Sequence, residues 1–101
     1  MPRRAQIEEL LKADPDDVFL KYALAKELAS EGDVPAALAA FDRVIAEHPD
    51  YVPAYFQKAQ TLASEGEPDA ARTVLTRGIE VARRVGDAHA AAEMTAFLDT
   101  L

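Results

Sequence analysis

The chain has 101 residues, is 50% hydrophobic, carries a formal net charge of −7 and contains no cysteine. That composition excludes a disulfide framework and any thiolate nucleophile or metal ligand, and no stretch approaches the roughly 20 apolar residues needed to span a bilayer. The negative field opposes binding to nucleic acid or anionic lipid; its plain reading is solubility and its sharper one a basic partner, while the length suits one domain.

Taken in order, Met1-Pro2-Arg3-Arg4 is basic but leads into Gln6, Glu8 and Glu9 rather than an apolar run. No secretory signal is therefore expected, and a reducing, cytoplasmic setting suits the lack of cysteine. The first helix is predicted over 3–13, with Ile7, Leu10 and Leu11 as its apolar face. A second is predicted over about 17–31, capped by Asp16, with Leu20, Leu24, Ala25 and Leu28 on the core side and Gly32 ending it. Asp33 caps a third over 34–47. Pro35 is tolerated in its first turn, where backbone N–H groups have no helical partner. Leu38, Phe41, Val44 and Ile45 form its stripe, and Pro49 closes it. Asp50 is expected to cap a fourth helix over about 51–65 that ends at Gly66. Pro68 starts a fifth that runs to about Val85. Gly86-Asp87 reads as a stop and a new cap, and a last helix over about 88–100 carries Ala91, Met94, Phe97, Leu98 and Leu101 on one side.

The pattern repeats. Leu28-Ala29-Ser30-Glu31-Gly32 recurs unchanged as Leu62-Ala63-Ser64-Glu65-Gly66, an offset of 34. At the same shift Val18 matches Val52, Ala25 matches Ala59, Ala36-Ala37 matches Ala70-Ala71, Phe41 matches Leu75 and Ile45 matches Ile79. A fixed period of this size marks stacked supersecondary units that bury each other's apolar faces.

The spacing, the small residues at 25, 37, 59 and 71, the turn glycines Gly32 and Gly66, and Pro49 resemble the tetratricopeptide repeat. The stretches Phe19-Leu20-Lys21-Tyr22-Ala23-Leu24-Ala25 and Asp50-Tyr51-Val52-Pro53-Ala54-Tyr55-Phe56 are also similar to those of small, stand-alone bacterial members with no assigned activity. The resemblance implies an all-α fold of about six helices, a right-handed superhelical stack of antiparallel pairs. One domain over 1–101 would divide into a half-repeat helix at 3–13, repeats at 18–51 and 52–85, and a capping helix at 87–101. Departures from the pattern are Lys21, where an aromatic is usual and Tyr55 supplies it in the second repeat. Lys58 replaces a core leucine and is expected to snorkel. Gly78 stands for a usual alanine, and Arg83 for the closing proline.

In the resembled fold the first helices of successive repeats line a concave groove. Carried over by residue, that groove would show Phe19, Tyr22, Lys26 and Ser30, then Phe56, Gln57, Gln60 and Ser64. Independently, Phe19, Tyr22 and Lys26 lie at i, i+3, i+7, off the face of Leu20, Leu24 and Leu28. Rings there either give a partner contact area at little entropic cost or merely pack against the N-terminal helix. The expected function is a non-enzymatic module binding a peptide or protein partner. The alternative is a self-associating scaffold subunit, a homodimer using Ile7, Leu10 and Leu11 at an unpartnered end. A lysine–asparagine carboxylate clamp is not expected, since the chain contains no asparagine.

Catalytic groupings are not found. His48 and His89 are far apart in sequence; His89 and Glu93 share a helix face, but two ligands do not make a zinc site. No phosphate loop or nucleophile elbow occurs, so neither enzyme activity nor a cofactor or metal is expected. Arg83-Arg84 is too short for a nucleic-acid patch.

Overall fold

A computed structural model describes residues 2–101, so Met1, with which the expected domain range begins, lies outside the described residues. Six helices follow in order: α1 (Pro2–Ala13), α2 (Val18–Ser30), α3 (Val34–Glu47), α4 (Val52–Ser64), α5 (Pro68–Arg84) and α6 (Ala88–Leu98). No strand occurs among the described residues. The fold is an all-α helical repeat whose helices match the predicted spans to within a few residues.

The turns explain where each helix stops. At Gly32, with φ of +86°, the Asp33 N–H donates to the Leu28 carbonyl at 3.0 Å. At Gly66, with φ of +76°, the Glu67 N–H donates to the Leu62 carbonyl at 3.0 Å. This is the left-handed C-terminal motif that satisfies the last orphan carbonyls, and glycine enters it without a Cβ penalty.

Caps followed the sequence at two of four positions. Asp33 accepts from the Ala36 N–H at 3.2 Å, and Asp87 accepts from the Ala90 N–H at 3.0 Å. Two expected caps are corrected. Asp17, not Asp16, caps α2, accepting from the Leu20 N–H at 2.9 Å. Asp50 does not cap α4, which begins after Tyr51 with no side-chain cap; the Asp50 carboxylate instead pairs with the Arg84 guanidinium.

The chain divides into two compact units, 1–48 and 49–101. In the first, α2 packs against both α1 and α3. Its core is Tyr22, Ala25 and Leu28 of α2 with Ala37, Phe41 and Val44 of α3. The expected face of α2 holds at Ala25 and Leu28, but Tyr22 joins it at 9% exposure, and Leu20 and Leu24 are only half-buried. Ion pairs from Arg3 to Glu27 at 3.7 Å and from Arg4 to Glu31 at 3.4 Å tie α1 along α2.

In the second unit, α5 packs between α4 and α6, and α6 also reaches α4. Tyr55, Leu75 and Met94 are almost wholly buried. The Tyr55 hydroxyl donates to the Pro49 carbonyl at 2.6 Å. Gly78 lies against this cluster so closely that a Cβ there would stand 2.7 Å from the Tyr55 Cβ and 2.8 Å from the Met94 Sδ. Glycine in a helix interior costs about 1 kcal/mol relative to alanine; here it is what allows the helices to approach. Lys58 is half-buried.

Candidate functional site

A residue that serves folding is normally buried or capping; one that serves binding is free to be neither. On α2 the clearest such residue is Phe19, which is 62% exposed although it is large and apolar. Its centroid lies 6.4 Å from that of Tyr22, which in turn lies 6.3 Å from Phe41 of α3. Tyr22 therefore joins the core to the surface, rather than standing clear of the core as its spacing suggested. The Lys26 ammonium sits 5.5 Å from the Tyr22 ring centroid, within reach of the electron-rich face, while the side chain remains exposed. Ser30 is exposed at the end of the same helix.

On α4 the corresponding residues are Phe56, Gln57, Gln60 and Ser64. Phe56 is half-buried and meets Phe97 of α6 edge-on at 5.8 Å. This aromatic pair sets Phe97 against α4. Gln57 and Gln60 are half-buried. Ser64 is exposed, but its hydroxyl donates to the Thr61 carbonyl at 2.8 Å, just as Thr61 donates to the Gln57 carbonyl at 2.8 Å. Phe19, Lys26, Ser30 and the two amides are thus the expected groove residues with capacity left for another molecule.

The N-terminal helix also has a candidate face. Leu10 is 55% exposed, while Ile7 and Leu11 are half-buried. Ala5, Gln6, Glu9, Leu10 and Ala13 border a shallow hollow of about 560 Å³. Sequence reasoning missed a larger furrow of about 590 Å³ within the first unit, bordered by Leu11, Lys21, Leu24, Ala40, Val44 and Glu47. It is invisible to helix periodicity because it lies between elements. On its rim the Lys21 ammonium bonds the Glu47 carboxylate at 2.9 Å. That bond, with further attraction from Lys21, Arg43 and His48, holds Glu47 below its ordinary pKa.

Chemistry is sparse. His89 lies 3.4 Å from Glu93, both exposed. Among the described residues no three His, Cys, Asp or Glu side chains gather as metal ligands, and no helix is long and apolar enough to cross a membrane.

Comparison with known proteins gives these features a common origin. A tetratricopeptide repeat family model matches residues 28–94. A tetratricopeptide repeat domain protein from Salinibacter ruber, solved in solution, is 31% identical over 85% of this chain and 87% of its own, with a TM-score of 0.81. A crystal structure of a tetratricopeptide repeat domain protein from the same organism is 32% identical over 81% of this chain and 92% of its own, at a TM-score of 0.74. A protein of Bordetella parapertussis, also solved in solution, is 26% identical over 96% of this chain and 84% of its own, at 0.84. No curated protein matches. Repeats of this kind generally serve protein–protein interaction rather than catalysis. With two-thirds of its length matched by the family model and its helices superposing on those of solved relatives, the chain belongs to the tetratricopeptide repeat family.

Proposed function

We propose that the chain is a non-enzymatic interaction module that binds a peptide or protein through the side of α2 bearing Phe19, Tyr22, Lys26 and Ser30, with the side of α4 bearing Phe56, Gln57, Gln60 and Ser64 as a second candidate face. The observation that carries this is the exposure of Phe19, 62% for a ring that packing alone would bury. An exposed ring beside a cation, and amides with unspent hydrogen-bonding capacity, match the composition of binding surfaces, where aromatic anchors supply area and polar groups supply register. Phe19, Gln57 and Gln60 are the residues to vary, because Tyr22 is buried and its removal would damage the core. Random-peptide display against the immobilised chain should enrich a family of sequences. Their binding should fall in Phe19→Ala or in Gln57→Ala/Gln60→Ala, with helicity unchanged by circular dichroism. Enriched peptides that bind both variants undiminished remove the assignment. The lack of cysteine suits action in a reducing cytoplasm.

Exposure of Leu10 favours a second reading, self-association through α1, with Ile7 and Leu11 at its margin. A 12-residue helix is only about 18 Å long. One such face falls short of the roughly 800 Å² per partner of a stable interface, so any dimer would be weak. Sedimentation from micromolar to millimolar concentration tests it; a constant monomer mass across that range rules it out.

A further inference from the structure

Where α1 crosses α2 there is a small hollow of about 150 Å³, bordered by Arg3 and Ile7 of α1 and by Phe19, Tyr22, Lys26 and Glu27 of α2. Its walls are two rings and a branched aliphatic side chain. An apolar space of about this volume accepts a benzene-sized group. Its rim is cationic: Arg3 and Lys26 stand against the single carboxylate of Glu27, in a chain whose net charge is −7. Arg3 is loosely engaged, 3.7 Å from Glu27 with 78% of its side chain exposed. The local sign thus opposes the global one. Short-range contacts decide what a pocket holds, because at physiological salt charges more than about 8 Å away are largely screened.

We infer that this seam takes one apolar side chain, leucine or an aromatic, from a peptide that carries a carboxylate beside that residue. The apolar group fills the space between Ile7, Phe19 and Tyr22, and the carboxylate meets Arg3 or Lys26. This rests on the reading of the α2 face as a binding surface and specifies its ligand. The carboxylate is a side chain within the peptide, so a free chain terminus is not required.

The test is calorimetric titration of the full chain with three N-acetylated, C-amidated peptides: leucine flanked by glutamates, leucine flanked by lysines, and alanine flanked by glutamates. The first should bind at least about tenfold tighter than either of the others. Phe19→Ser and Lys26→Glu should each weaken it by about tenfold, and both should keep wild-type helicity, since both side chains are exposed. Equal or tighter binding of the lysine-flanked peptide overturns the inference, as does indifference to Phe19→Ser or failure of all three peptides to bind. Peptide display decides the broader reading separately. Enriched sequences that depend on Gln57 and Gln60, with all three designed peptides silent, sink the seam and leave that reading standing.

Discussion

Tyr55 of α4 and Lys21 of α2 occupy the same place in hairpins related by 34 residues, as do Gly78 and Val44, and Val81 and Glu47. In the α4–α5 hairpin a large ring lies against a residue with no side chain, and Val81 beside them is buried. In α2–α3 a thin, charged side chain replaces the ring, Val44 fills the place of the glycine, and the third position holds the carboxylate that binds the lysine. The second hairpin is closed by volume, the first by an ion pair at the edge of an open furrow. One backbone template accepts either solution, but the residues come as sets of three, and mixing members of the sets should fail.

Exchanging Tyr55 for the lysine of the other hairpin should have the largest effect. Tyr55→Lys removes a ring that is 2% exposed and places an ammonium beside buried Val81, with no carboxylate at that position. Loss of the ring alone is worth about 3–5 kcal/mol, so urea denaturation should show a protein at or near unfolding. Next is Gly78→Ala, which gains helix propensity but forces its Cβ onto that of Tyr55, an atom fixed to the backbone. Overpacking of this kind costs about 1–3 kcal/mol, more than the roughly 1 kcal/mol gained. A raised melting temperature would show that α4 and α5 part easily. The reverse exchange, Lys21→Tyr, should be far milder, since a furrow adjoins the site. A denaturation midpoint as low as that of Tyr55→Lys would erase the distinction between the hairpins.

Acidity should produce the smallest effect. The folded state holds Glu47 below its ordinary pKa, chiefly through the hydrogen bond from Lys21. The unfolded chain therefore takes up a proton first as pH falls, and stability declines between the ordinary glutamate value, about 4.3, and the lower folded one. Above that range this contribution is complete. Lys21→Gln should flatten the acid limb of the stability curve slightly; an unchanged limb means the pair does not couple to folding.

Much of this architecture was legible because helix punctuation is local. Gly32, Gly66, Asp33 and Asp87 act on backbone groups within five residues, so their roles follow from type and position. What failed was tertiary. Asp50 looks like a cap until Arg84, 34 residues away, takes its carboxylate. The face of α2 was misread at Leu20, Tyr22 and Leu24 because that helix has neighbours on two sides. Its apolar residues, Leu20, Tyr22, Leu24 and Leu28, therefore do not form the single stripe that periodicity can read. Phe56 was assigned to a free face because nothing near it in sequence reveals Phe97. Helical spacing does place Phe19 off the core face, where it stands; what it serves there is the hardest thing to read, because the fold does not need a ring at the surface.

The fit of Tyr55 and Met94 around Gly78 bears on protein engineering. Averaging many repeat sequences into an idealised one is a common way to raise thermal tolerance, and for this family it would write alanine at that position. In this molecule the edit would wedge apart two helices whose approach depends on the missing methyl. A designer should therefore treat position 78 together with its two neighbours as one block, to be inherited whole or replaced whole.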